Sequence, residues 1–147
     1  MPYVKVWIHL VWSTKKRIPF LHSDIRPKVF EHIRENAKKK DIFLDFIGGY
    51  EEHVHSLISL GTEQTISEVV RLIKGESSHW INQNRLVKNK FAWQRDYFCV
   101  GVCESLIDRT RNYIRNQEEH HRKKGFRDEF ELMLKKYGFQ RFEDNYE

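Results

Sequence analysis

Every second residue from Val4 to Trp12 is apolar: Val4, Val6, Ile8, Leu10 and Trp12. Side chains alternate between the two faces of a strand, so this spacing predicts a strand over Tyr3–Ser13 with one face buried. Such a strand needs neighbours beside it and a layer over its apolar side. The residues that follow offer both. Ile25, Val29, Phe30, Ile33 and Ala37 form one stripe of a helix over about Asp24–Lys40, with Pro27 in the first turn, where no intrahelical bond is lost. Strands are predicted over Ile42–Tyr50 and His53–Leu60, nearly a hairpin, with Gly48-Gly49 as a candidate bulge.

Thr65 and Glu68 make a capping box for a second helix, whose stripe is Ile66, Val69, Val70 and Ile73. A fourth strand is expected over about Phe91–Cys103. Ser105 and Asp108 then mark a helix start; that helix carries Tyr113, Ile114 and Gln117, and Gly125 ends it. Phe126, Phe130, Met133, Leu134 and Tyr137 recur at helical spacing in a last helix over about residues 126–138. The order β-α-β-β-α-β predicts an α+β, ferredoxin-like fold. Its antiparallel sheet has helices on one face and is followed by a C-terminal helical part carrying the tyrosine. No repeat or linker divides the chain, so one domain is expected over residues 1–147, with a core over about 3–124 and a short tail at Arg141–Glu147.

Composition narrows the partner. Lys plus Arg number 26 against 21 for Asp plus Glu, a net charge of +5, which favours a polyanion. Cys99 and Cys103, placed on one strand, are too far apart to bridge; they fit a reducing cytoplasm better than secretion. No apolar run approaches a bilayer span, so no membrane partner is expected.

Two groups of residues carry chemistry. His53 and His55 stand two apart on a strand, so their imidazoles share a face while Val54 turns away. Two neutral imidazoles side by side suit a divalent ion, although His-x-His also arises by chance. Tyr113 and Gln117 stand four apart on a helix and can face one cavity. A tyrosine oxygen can attack phosphorus, and an amide oxygen is a hard ligand for magnesium or manganese. Taken alone, Tyr113 fits better as part of an apolar stripe with Leu106, Thr110 and Ile114, its ring packed and its hydroxyl at the rim. Taken together the two groups suit one reaction, because phosphodiester cleavage needs an in-line nucleophile and a cation on the non-bridging oxygens.

At this point the chain resembles the HUH-type single-tyrosine transposases of the IS200-like family. The matching parts occur in order, over roughly Val4 to His121. They are Val11-Trp12-Ser13 with Lys15-Lys16-Arg17 behind it, His53-Val54-His55-Ser56-Leu57, Leu72-Ile73-Lys74-Gly75, Trp93-Gln94-Arg95-Asp96-Tyr97, and Tyr113-Ile114-x-x-Gln117. The resemblance implies cleavage and rejoining of single-stranded DNA beside a hairpin, in DNA transposition, through a covalent 5′-phosphotyrosine and with a free 3′-hydroxyl. It implies a homodimer with composite active sites. Tyr113 is the implied nucleophile, and His53, His55 and Gln117 the implied ligands of Mg2+ or Mn2+. Many relatives have Pro-Asp before the first histidine, where this chain has Glu51-Glu52; an acid there could orient a histidine from behind.

DNA contacts are expected from Lys15, Lys16 and Arg17, and from Arg71 and Lys74 on one helix face, with Arg109, Arg111 and Arg115 around the tyrosine. Trp80, Trp93 and Tyr97 could stack on bases but fit a core as well. His120 and His121 diverge by about 100° around a helix and are not expected to share an ion. Two rival readings keep the fold: a domesticated regulator that binds hairpins without cutting them, and a replication or conjugation nickase. The nickases usually carry a second tyrosine or further domains, and Tyr113 stands alone in its helix.

Overall fold

The computed structural model describes residues 2–139, so the tail at Arg141–Glu147 lies outside the described residues. Strands β1 (Trp7–Ser13), β2 (Phe43–Gly49), β3 (His53–Ser59) and β4 (Phe98–Val102) form one antiparallel sheet in the order β2-β3-β1-β4. With α1 (Arg26–Lys39) between β1 and β2 and α2 (Ile66–Gln83) between β3 and β4, this is the ferredoxin-like arrangement. Three helices follow: α3 (Ile107–Arg115), α4 (Gln117–Lys123) and α5 (Phe126–Lys136).

The two faces of the sheet do different work. Ile8, Leu10 and Trp12 of β1 and Val54 and Ile58 of β3 pack with Val29, Ile33 and Ala37 of α1 and Val69, Val70 and Ile73 of α2. This is the main core. On the other face, Trp7 and Leu57 meet Ile107 and Ile114 of α3, while Val11 and Phe98 meet Phe126 and Met133 of α5. β1 is therefore buried along its whole length, rather than on the single face its alternation predicts. The helices after β4 cover the second face and enclose its polar residues, His9 and Ser13 among them.

The elements match the predicted ones with local differences. Val4 and Val6 are exposed, and β1 begins only at Trp7, where β4 and β3 both supply partners. The predicted fourth strand divides in two. Trp93 makes an isolated bridge to Thr14, the polar run Gln94-Arg95-Asp96 loops out, and pairing resumes at Phe98. The irregularity in β2 falls between Leu44 and Phe46, not at Gly48-Gly49. Thr65 caps α2 by accepting the Glu68 N–H at 3.2 Å, as the capping box predicts. Ser105 makes no such cap: a short 3-10 turn over Glu104–Leu106 leads into α3. The expected single helix through Gln117 is broken at Asn116, which separates α3 from α4.

Candidate active site

β3 sets the first two side chains. Val54 is sunk in the main core, so the neighbouring positions His53 and His55 face the covered side of the sheet, and both are fully buried. Each ring is held from behind. Glu52 Oε1 accepts from His53 Nδ1 at 2.7 Å, and His9 Nε2 pairs with His55 Nδ1 at 2.9 Å. Such partners fix ring orientation and turn the Nε2 atoms towards the helices. The acid at position 52 thus orients a histidine, as the Glu51-Glu52 departure suggested. Phe126 stacks on His53 with ring centroids 4.1 Å apart and planes 11° from parallel.

α3 brings the tyrosine across β2. A Cβ on Gly48 would lie 2.7 Å from the Ile114 carbonyl oxygen, so only glycine allows this approach. Arg111 locks the same crossing by a two-pronged ion pair to Asp45, at 2.7 and 2.9 Å, and so is committed to β2. The Tyr113 ring comes to rest 5.5 Å from the His55 ring within the same chain. Despite the break at Asn116, Gln117 reaches the same space: it is buried, with Oε1 2.8 Å from His53 Nε2.

The residue that closes the site was not visible in the sequence. Glu129 on α5 is 2% exposed. Its Oε1 lies 3.1 Å from His121 Nε2, 3.2 Å from His55 Nε2 and 3.5 Å from His53 Nε2. Its Oε2 accepts from the Tyr113 hydroxyl and, at 3.1 Å, from the Gln117 amide. His120 Nε2 is 3.4 Å from Oε2, buried and without a hydrogen bond. His120 and His121, expected to diverge, converge here because long side chains at the end of α4 both reach a carboxylate brought by the next helix. The available signal was an acid inside the apolar stripe of α5, between Phe126 and Met133, both buried.

The electrostatics follow from burial. His9 and His55 are pulled down to about 3 and about 4, mainly because burial disfavours the imidazolium and each faces another imidazole. Burial alone would raise the Glu129 carboxyl. Hydrogen bonds from His121 and His55, with the Tyr113 hydroxyl, outweigh it and hold the group well below the ordinary carboxylate range. Burial, then the Glu129 charge, push the Tyr113 hydroxyl far above its usual value, so at rest it is a weak nucleophile. Imidazole nitrogens, a carboxylate and an amide oxygen converge on one point, and His120 Nε2 is left without a hydrogen bond beside it. That donor set could hold a divalent ion.

The model of the family described as IS200-like transposases matches residues 2–117. The chain belongs to that family. The transposase is 23% identical over 116 residues to the ISDra2 transposase TnpA of Deinococcus radiodurans, covering 76% of this chain and 83% of that one. Its fold is similar to the crystal structure of a candidate transposase from Deinococcus radiodurans, with TM-score 0.64, 24% identity, and coverage of 80% of this chain and 95% of the other. It is also similar to a REP-associated tyrosine transposase bound to a REP hairpin, with TM-score 0.58, 16% identity, and coverage of 86% and 73%.

The basic residues of the transposase fall into two sets. Lys15, Lys16 and Arg17 are exposed in a turn directly after β1, whose last residue pairs with His53. Lys16 and Arg17 take left-handed backbone angles (φ 57° and 56°), and the turn is closed by the Thr14 hydroxyl on the Ile18 carbonyl at 2.7 Å. Arg17 lies over Phe126, 5.4 Å from its centroid, beside the site. Arg71 and Lys74 lie on α2, across the sheet from the imidazoles. Lys74 donates to the carbonyls of Gln94 and Arg95, at 2.5 and 3.0 Å, and so holds the loop before β4. Arg115 sits over the Phe46 ring, and Arg109 is exposed. Trp93 is core, edge-on to Trp12, and Trp80 stacks on His32; Tyr97 is 40% exposed. Both cysteines are free, and no helix among the described residues is long and apolar enough to cross a membrane.

Proposed function

We propose that this transposase cleaves and rejoins single-stranded DNA beside a hairpin, with Tyr113 as nucleophile and a divalent ion held by His53, His55 and Gln117. One observation carries the reading: the Tyr113 hydroxyl and the Nε2 atoms of His53 and His55 converge on one carboxylate within a single chain. The relative described as bound to a REP hairpin supports the same class of substrate.

When bound, the ion supplies positive charge that polarises the scissile phosphate and offsets what raises the Tyr113 hydroxyl. The protein's own groups do the rest. His9 and Glu52 keep the two imidazoles aimed inward, and Phe126 shields one face of His53 from water. Tyr113 Oη attacks phosphorus, the bond to the 3′ oxygen breaks, and that oxygen leaves as a 3′-hydroxyl after taking a proton. The 5′-phosphate is then joined to Tyr113. The Tyr113 proton has Glu129 Oε2 as its nearest acceptor. Rejoining reverses the step: a 3′-hydroxyl attacks the phosphotyrosine, the phosphorus–tyrosine bond breaks, and Tyr113 regains its proton.

Lys15, Lys16 and Arg17 are the backbone contacts nearest the site, and Arg71 and Lys74 are assigned to a more distant part of the strand. The proposal includes a homodimer acting in the cytoplasm. In place of the composite sites that the resemblance implies, each copy is read as using its own tyrosine with its own imidazoles; the 5.5 Å between the Tyr113 and His55 rings of one chain supports this. The test is a denaturing gel after mixing the protein with a hairpin-bearing single-stranded oligonucleotide from its genomic flanks and Mn2+ or Mg2+. The wild type forms a covalent adduct. Tyr113→Phe abolishes it while sparing binding, and His53→Ala or His55→Ala loses cleavage. An adduct formed by Tyr113→Phe overturns the nucleophile assignment.

A further inference from the structure

We propose that Glu129 is itself a ligand of the divalent ion through one carboxylate oxygen and positions Tyr113 through the other, which makes α5 part of the active centre. The inference rests on the metal-dependent reading above. It starts from crowding: His53, His55 and His121 all present Nε2 to Glu129 Oε1 within 3.1–3.5 Å. Tyr113 and Gln117 both donate to Oε2, and His120 stands 3.4 Å from it. One ligand atom each from His53, His55 and Glu129 lie within 4.8 Å of one another, close enough for a common ion.

A buried carboxylate requires a compensating cation or a full set of donors. The Tyr113 hydroxyl and the Gln117 amide give hydrogen bonds but no charge. A divalent ion at the Nε2 atoms of His53 and His55 supplies it, and Glu129 Oε1 already faces those atoms. Oε2 remains on the Tyr113 hydroxyl. A single carboxylate then sets the distance between the phosphate-polarising charge and the attacking oxygen, and precise placement of reacting atoms carries a large share of a phosphoryl-transfer rate. His121 contacts Oε1 at 3.1 Å, while Tyr113 is on Oε2. α5 is also braced independently of the acid: Phe126 and Met133 pack with Val11 and Phe98, and Phe126 stacks on His53.

The opposite possibility is a plug, in which Glu129 fills the place of the ion and keeps it out. Metal affinity separates the two by sign. The full chain is titrated with Mn2+ in the absence of DNA, and free Mn2+ is read by electron paramagnetic resonance for wild type, Glu129→Gln, Glu129→Asp and His55→Ala. Glu129→Gln keeps the hydrogen bond to Tyr113 and loses the charge, and is expected to bind Mn2+ about tenfold or more weakly, close to His55→Ala. Unchanged or tighter binding by Glu129→Gln overturns the proposal. Where circular dichroism shows that variant unfolded, the Glu129 carboxyl carbon of 13C-labelled wild type, assigned with Glu129→Asp, is followed during Mg2+ addition. A shift on saturation supports ligation, and a stationary resonance overturns it. Wild type that takes up no Mn2+ removes this inference and the metal part of the proposed function together. Weakened binding in His55→Ala with full binding in Glu129→Gln removes this inference alone.

Discussion

His9 and His55 face each other at 2.9 Å in a space closed to water, and their folded pKa values of about 3 and about 4 lie below the ordinary 6.5. In the unfolded chain both take up protons as pH falls through about 6.5; in the folded chain they do not until far lower. Their contribution to stability is therefore fully present above about pH 6.5 and is lost progressively as pH falls towards 4. Glu129, held below the ordinary carboxylate value, adds its own loss below about pH 4.5. Metal-free protein is thus expected to melt at a lower temperature near pH 5 than near pH 7.5, and an equal or higher melting temperature near pH 5 contradicts this. His9 and Glu129 also show where residue-level reading stopped. His53, His55, Tyr113 and Gln117 were legible because each pair is close in sequence, two or four apart. Their partners lie 46 and 74 positions from His55, and a lone histidine on an apolar strand or a lone acid on an apolar helix says nothing until the fold brings them together.

Periodicity exposed most elements, because apolar spacing is a property of each segment alone. β3 and the capped start of α2 fall almost where the pattern puts them. Errors occur where packing between elements overrides local pattern. The break at Asn116 lies inside a helical run, and the ends of β1 and β4 are set by where partners stop. The crossing of α3 over β2 is the element-scale feature on which the proposed chemistry depends most. Gly48→Ala inserts a methyl group against the Ile114 carbonyl and is expected to cost about 1–3 kcal/mol, read by chemical unfolding. Since the displaced helix carries Tyr113, adduct yield should fall more than the stability loss predicts. A variant with wild-type yield and stability would show that the crossing tolerates wider spacing.

At the scale of the molecule, the basic turn at residues 15–17 and the site share one end of the sheet. Alanine at Lys15 or Arg17 is expected to weaken single-strand binding uniformly across sequences. It should also flatten the dependence of log affinity on log salt by about 0.7 for each phosphate no longer neutralised. An unchanged slope places the strand elsewhere. The single-chain meeting of Tyr113 and His55 makes a further prediction: mixing His55→Ala with Tyr113→Phe protein should restore no adduct. Recovery of adduct would instead indicate tyrosine helices exchanged between copies.

β3 gives its even-numbered side chains to the core over α1 and α2 and its odd-numbered histidines to the opposite side. The main core and the proposed chemistry are thus written on alternate letters of a single strand. A lineage that stops moving its DNA is expected to lose His53 or His55 before Val54, Leu57 or Ile58, the apolar residues that pack both faces of the sheet. Inactive descendants of this protein should therefore be recognised by decay at positions 53, 55, 113 and 129, against an unaltered Val54 and Ile58.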